Sequence, residues 1–105
     1  MTYQNISTET FKSLIGKEDH ILIDVRAPEE YIEGKIEGHQ LINFKEPDFP
    51  EQIDKLDRSK NYLVYCRSGN RSGQTCQLMQ SMGFKGGLYN LEGGIQAWNA
   101  TYGKL

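Results

Sequence analysis

Two short apolar runs constrain the fold of this chain most strongly: ILIDV (Ile21–Val25) and NYLVYC (Asn61–Cys66). The first is continuous and ended by a charge, which is typical of a strand covered on both faces. The second contains aromatic and β-branched residues, which favours a strand. Helical patterns alternate with such runs, with no internal repeat, low-complexity tract or linker. The sequence therefore predicts an α/β fold with a parallel sheet and helices on both faces.

Local signals predict the remaining elements. Ser7 or Thr8 can cap a helix through TETFKSLIG, and Pro28 can open a short helix, PEEYIEG. Residues 34–50 contain glycines and prolines, and we expect mostly loop there around a short strand, LINF (residues 41–44). The other predicted elements are strands 3–6 and 87–91 and helices 50–56, 70–83 and 93–103, with Gly83 as a helix C-terminal cap and Phe84 packed behind it.

Length and composition indicate one globular domain. The chain has 105 residues, of which 25% are charged and 37% hydrophobic. A net charge of −2 argues against nucleic acid as a partner. The N-terminal stretch MTYQNISTETFK lacks the pattern of a signal peptide, and no apolar run approaches the roughly 20 residues that span a bilayer. We expect a cytoplasmic protein with no membrane association and with reduced cysteines.

The two cysteines, Cys66 and Cys76, lack the C-x-x-C spacing of a zinc or thioredoxin-like site. The chain also has only two histidines. We therefore predict no metal site and no cofactor. Each cysteine is then expected either to be reactive or to pack in the core.

Cys66 stands at the carboxyl end of a predicted strand, where open α/β sheets bind ligands. In the loop that follows, Gly69 and Asn70 tolerate left-handed backbone angles, which suits a turn whose N–H groups point at an anion. These N–H groups, the start of the next helix and the guanidinium groups of Arg67 and Arg71 are all expected to stabilise a thiolate. Such surroundings lower a thiol pKa from about 8.5 into a range of roughly 3.5 to 7.5.

Each cysteine has an alternative interpretation. Cys66 can be an unreactive small hydrophobe at a strand end, but two arginines and a glycine beside it favour a reactive thiol. Cys76 lies at helical spacing from Met79, which favours core packing. A resolving or redox-sensing thiol is the alternative for Cys76.

Three motifs, DVRAPEEYIEGKIEG, YCRSGNRS and YNLEGGIQAW, resemble in order and spacing those of rhodanese-like single-domain sulfurtransferases. The resemblance runs from about Ile21 to Trp98. It implies that residues 1–105 form a single rhodanese-like three-layer domain, with a five-stranded parallel sheet flanked by helices. It also implies that Cys66 is catalytic, heads the six-residue loop 66–71 and carries a persulfide.

The resemblance implies roles for the neighbouring residues as well. Substrate binding and persulfide stabilisation fall to the loop residues Arg67, Ser68, Gly69, Asn70 and Arg71. Loop support falls to Asp24, Arg26 and Ser72, and a contact with the substrate is the alternative for Arg26. Gly93, Gly94 and Trp98 match family positions that are structural.

The chain departs from the family pattern at a few positions. Lys35 stands where a histidine is common, and His39 stands where a small residue is common. His39 can act as a general base or can be a surface or packing residue, and the second interpretation is favoured for a loop histidine outside the pattern. The stretch GFKGGLYNL is one residue longer than usual, which we attribute to a surface loop.

The implied activity is that of a thiosulfate sulfurtransferase, with a small anionic sulfur donor such as thiosulfate. The expected acceptor is cyanide, a low-molecular-weight thiol or a protein, and we expect a monomer. One alternative is a sulfur-relay or regulatory binding module with little small-molecule turnover. A cysteine phosphatase or arsenate reductase is disfavoured, because those phosphatases need C-x5-R and the sixth residue after Cys66 is Ser72.

Overall fold

A computed structural model describes residues 3–104 of the chain. Its strands are β1 (Gln4–Ile6), β2 (His20–Asp24), β3 (Gln40–Leu41), β4 (Asn61–Tyr65) and β5 (Leu88–Leu91). Its α-helices are α1 (Thr8–Leu14), α2 (Phe49–Asp54), α3 (Asn70–Ser81) and α4 (Gly94–Tyr102), and a 3₁₀ helix spans Pro28–Glu33. The strands form one sheet in the order β1-β5-β4-β2-β3, and every neighbouring pair is parallel. The predicted α/β fold with a five-stranded parallel sheet is confirmed.

Alternate side chains of the central strand β4 enter two separate hydrophobic layers, as the period of two in a strand requires. Tyr62 and Val64 pack in one layer, which also holds buried residues of α2 and α3. Leu63 and Tyr65 pack in the other, which holds buried residues of α1 and α4. The sheet is therefore covered on both faces, and the molecule has three layers.

The end of α3 matches its sequence signals. The N–H of Phe84 donates to the carbonyl of Met79 at 3.2 Å, and the N–H of Gly83 donates to the carbonyl of Gln80 at 3.2 Å. This pair of bonds is the Schellman arrangement that a glycine after a helix favours. Phe84 is buried in the same layer as α3, so the predicted cap and its apolar contact are both present.

The predicted LINF strand is wrong in extent, because β3 contains only Gln40–Leu41. The chain begins to turn at Asn43, whose side-chain oxygen accepts the N–H of Lys45 at 3.0 Å. The Asn43 carbonyl also accepts the N–H of Glu46 at 3.1 Å. An asparagine that bonds its own backbone two residues on is a turn signal that outweighs the apolar residues around it.

Between residues 3 and 104, no helix has the length and apolar character that a bilayer crossing requires.

Candidate active site

Cys66 directly follows β4, and α3 begins at Asn70. The loop between them lies at the carboxyl edge of the sheet, between a central strand and the N-terminus of the longest helix. This is the edge at which open parallel sheets place their ligand sites.

Hydrogen-bond donors surround the Cys66 sulfur, although the residue is only 1% exposed. The N–H of Gly69 lies 3.1 Å from Sγ, and Ser72 Oγ lies 3.3 Å from it. Burial raises the pKa of the thiol, but hydrogen bonds from the Ser72 hydroxyl and from the N–H groups of Ser72, Gly69 and Ser68 outweigh it and lower the pKa below its ordinary value. The sulfur is therefore buried in surroundings that favour the thiolate.

Gly69 gives the loop its shape. Its φ is 101°, in the left-handed region that only glycine adopts readily. A Cβ at this position would lie 3.3 Å from the carbonyl oxygen of Leu91, so space is also restricted there. Asn70 has no left-handed backbone; it is the first residue of α3, in agreement with the start of the predicted helix 70–83, and its side chain accepts a bond from Gln74.

Both loop arginines are paired with glutamates of the 3₁₀ helix. Arg67 Nε donates to Glu33 Oε1 at 2.9 Å, in a pair that is about half exposed. Arg71 forms two bonds of 2.8 Å to the two carboxylate oxygens of Glu30, and both side chains are largely buried. The positive charge expected around the sulfur is therefore largely offset, and the lowered pKa of Cys66 depends first on Ser72 and the loop N–H groups.

Asp24 and Arg26 form a fully buried ion pair next to this 3₁₀ helix. Arg26 Nε lies 3.0 Å and Nη2 lies 2.8 Å from Asp24 carboxylate oxygens. The guanidinium also donates to the carbonyls of Glu30 and Gly34, at 3.0 and 2.9 Å. The pair thus holds the 3₁₀ helix, which carries Glu30 and Glu33, the partners of the two loop arginines. Asp24 and Arg26 therefore lie where a role in supporting the loop requires them.

A polar cluster of Ser72, Asn90 and Asn5 lies behind the sulfur. Ser72 Oγ is 2.5 Å from Asn90 Oδ1, and Asn90 Nδ2 donates to Asn5 Oδ1 at 2.9 Å and to the Gly69 carbonyl at 3.1 Å. Sequence reasoning named Ser72 as support but missed Asn90. A polar residue inside the otherwise apolar strand GLYNL is the signal that marks it.

The N-terminus of α4 holds the carbonyl side of the loop. The N–H of Ile95 donates to the Cys66 carbonyl at 2.9 Å, and the N–H of Gln96 donates to the Arg67 carbonyl at 3.2 Å. A Cβ at Gly94 would lie 2.6 Å from the Cys66 carbonyl oxygen, so only glycine permits this approach. The double glycine that the sequence placed in a structural turn therefore positions the loop.

The other two candidate residues occupy structural places. His39 Nδ1 donates to the Ile36 carbonyl at 2.8 Å, so Nε2 is the acceptor of the Tyr31 hydroxyl at 2.5 Å. Both ring nitrogens are thus engaged within its own loop region. Cys76 is fully buried beside α3 core residues, and burial raises its pKa to about 12.

Comparison with known sequences gives a consistent family. The profile of the family described as "Rhodanese-like domain" matches residues 7–101. The protein YtwF of Bacillus subtilis, which has a provisional sulfurtransferase name, is 40% identical over 99 residues, 93% of this chain and 92% of YtwF. "Thiosulfate sulfurtransferase GlpE" of Coxiella burnetii is 33% identical over 102 residues, 97% of this chain and 92% of GlpE.

Comparison with solved structures gives the same result. The crystal structure of a rhodanese-related protein from Thermoplasma volcanium superposes with a TM-score of 0.79 and 30% sequence identity. The match covers 95% of this chain and 94% of that one. Fold, motif order and sequence similarity all agree, and this chain belongs to the family of rhodanese-like domains.

Proposed function

We propose that this protein is a thiosulfate-type sulfurtransferase that works through a persulfide on Cys66. The observation that carries the proposal is the Cys66 sulfur at the end of β4, with the Gly69 N–H and the Ser72 hydroxyl directed at it. The sulfurtransferase names of the similar proteins support the reaction class. The hydrogen bonds around the sulfur lower the pKa of the thiol, so in this proposal the loop supplies the nucleophilic thiolate and no separate general base is required.

In the first step the Cys66 thiolate attacks the outer sulfur of thiosulfate. A new S–S bond forms, the S–S bond of the donor breaks, and its electron pair leaves with sulfite. Cys66 is then a persulfide whose negative charge lies on the outer sulfur. The N–H groups of the loop are the donors available to stabilise that charge.

In the second step a nucleophilic acceptor attacks the outer sulfur. Cyanide gives thiocyanate, and a thiol gives a new persulfide. The electron pair of the Cys66 S–S bond returns to Sγ, which leaves as the thiolate that began the cycle. The hydrogen bonds that lower the pKa of Cys66 also make its sulfur a better leaving group.

The two loop arginines, Arg67 and Arg71, have different roles in this proposal. Arg67 is about half exposed and has one bond to Glu33, so of the two loop arginines it is the more available to meet an anionic donor. Arg71 is held by two bonds to Glu30, and it fixes the start of α3 against the 3₁₀ helix. A nearly closed sulfur site favours a donor that presents one terminal sulfur atom rather than a bulky phosphoryl group.

Intact-mass spectrometry tests the proposal. Protein incubated with thiosulfate is expected to gain about 32 Da, the mass of one sulfur atom, with release of sulfite. The gain is expected in Cys76→Ser and absent in Cys66→Ser. Added cyanide is expected to remove the extra mass and yield thiocyanate. No mass gain in the native protein, or an equal gain in Cys66→Ser, contradicts the proposal.

The same experiment separates an enzyme from a sulfur-relay module. Discharge of the persulfide to cyanide or a small thiol at catalytic rates supports the enzyme. A persulfide that forms but passes its sulfur only to a protein acceptor supports the relay.

A further inference from the structure

The Ser72 hydroxyl has one proton and two neighbouring acceptors. Its Oγ lies 3.3 Å from the Cys66 sulfur and 2.5 Å from Asn90 Oδ1. Ser72 is fully buried and Asn90 is 5% exposed. A single O–H bonds well to only one acceptor at a time, so the two acceptors compete for it.

The other contacts of Asn90 fix the orientation of its amide. Nδ2 donates to Asn5 Oδ1 and to the Gly69 carbonyl, which uses both amide hydrogens. The opposite orientation would place Oδ1 against the Gly69 carbonyl oxygen, an unfavourable contact between two acceptors. Asn90 Oδ1 therefore faces Ser72 as an acceptor.

We propose that Asn90 is a positioning residue that competes with the Cys66 sulfur for the Ser72 proton and so sets the reactivity of that sulfur. When Sγ is a thiolate, its full charge draws the Ser72 proton away from Asn90. When Sγ is protonated or carries an outer sulfur, its charge is gone, and the proton returns to the Asn90 oxygen.

This inference rests on the proposed function, because the two positions of the proton correspond to the two halves of the sulfur-transfer cycle. In the loaded state the charge lies on the outer sulfur rather than on Sγ. When the outer sulfur is transferred, charge develops on Sγ, and the hydroxyl turns toward it. Arg71 is a charged group that also interacts with the Cys66 sulfur, and it is bonded to Glu30 by two hydrogen bonds.

Asn90 also contacts Gly69, which is another donor to the sulfur. Asn90 Nδ2 bonds the Gly69 carbonyl, and the N–H of the same residue points at Sγ. A substitution at Asn90 thus changes two things, the competition for the Ser72 proton and the position of Gly69. The experiment must separate these two effects.

A double-mutant cycle on the pH dependence of Cys66 alkylation makes this separation. The variants are Asn90→Leu, Ser72→Ala and the double variant, all in a Cys76→Ser background, with iodoacetamide as the probe and intact mass as the readout. Ser72→Ala is expected to raise the apparent pKa of Cys66 by about one unit, because it removes a hydrogen bond to a charged atom. Asn90→Leu is expected to lower the pKa while Ser72 is present, because the hydroxyl then has one acceptor, and to have no lowering effect without Ser72.

The inference is overturned if Asn90→Leu lowers the Cys66 pKa equally with and without Ser72, or if Asn90→Leu alone raises that pKa. In either case the effect comes from Gly69 alone. Asn5→Ala serves as the matched control, since it breaks a contact of Asn90 on the side away from Ser72, and no shift is expected. If Asn90→Leu does not fold by circular dichroism, Asn90→Val enters the same cycle as a strand-compatible apolar residue.

The alkylation readout requires no sulfur transfer. If thiosulfate adds no mass but Asn90→Leu lowers the Cys66 pKa only when Ser72 is present, the proposed function is wrong. If thiosulfate adds the expected mass but the effects of the Asn90 and Ser72 substitutions on the pKa are additive, this inference alone is wrong.

Discussion

Arg71 and Glu30 join the cysteine loop to the 3₁₀ helix by two hydrogen bonds of 2.8 Å each. The bonds from Arg71, together with one from the Ala27 N–H, lower the pKa of the Glu30 carboxyl from 4.5 to about 2 although burial opposes the shift. A carboxylate with a lowered pKa in the folded state contributes stability above its unfolded pKa and loses it as the pH falls toward the folded pKa.

Glu30→Gln is therefore expected to destabilise the protein at pH 7 by about 1 to 3 kcal/mol, and the difference from the native protein should shrink as the pH falls from 4.5 toward 2. Urea unfolding at several pH values measures this. Glu33→Gln is the matched control, because its pair with Arg67 is about half exposed and worth within about 0.5 kcal/mol. A pH-independent loss of stability in Glu30→Gln contradicts the role of its charge.

The two cysteines are expected to differ sharply in reactivity. The pKa of Cys66 lies below its ordinary value and that of Cys76 is raised to about 12, so Cys66 has a much larger thiolate fraction than Cys76 at neutral pH. Iodoacetamide at pH 7 should modify Cys66 alone, and its rate should fall as the pH drops through the lowered pKa. Peptide mapping after brief labelling assigns the site. Faster modification of Cys76 would reverse the assignment of the two thiols.

Arg67→Ala is expected to raise the KM for thiosulfate several-fold with little change in stability, because Arg67 is exposed and singly paired. Arg71→Ala is expected to lower both turnover and stability, because it leaves the buried Glu30 carboxylate without its cation. Steady-state thiocyanate formation and thermal unfolding measure these effects. Native kinetics in both variants would remove the arginines from the mechanism.

Gly94→Ala is expected to disturb the cysteine loop, since a Cβ would lie 2.6 Å from the Cys66 carbonyl oxygen. Gly16→Ala is the matched control: Gly16 also has a positive φ, but a Cβ there meets nothing within 4 Å. Both variants should lose about 1 kcal/mol from backbone strain. Only Gly94→Ala should also slow Cys66 alkylation at pH 7, and equal alkylation rates in the two variants would contradict the positioning role.

The sheet and its helices follow from local signals, because ILIDV and NYLVYC are apolar on both faces, Ser7 caps the start of α1 and Gly83 ends α3. The element predicted least well is β3, where the side chain of Asn43 turns the chain. The position of Cys66 at the carboxyl edge of the sheet also follows from the sequence, since it directly succeeds a buried strand.

The electrostatics of the site do not follow from local sequence. Arg71 and Glu30 are 41 positions apart, and Ser72 and Asn90 are 18 positions apart, so tertiary packing alone brings each pair together. The arginines looked available for a donor because their glutamate partners lie on another segment. The roles predicted for the loop residues stay predictions until the variants above are measured.

The N–H groups of Ile95 and Gln96, which bond the loop carbonyls, lie later in the chain than the loop itself. During translation Cys66 leaves the ribosome well before α4 does, and in that interval its carbonyl has no such clamp. These two backbone bonds to the loop can therefore form only after the chain has been synthesised as far as α4 and that helix has docked.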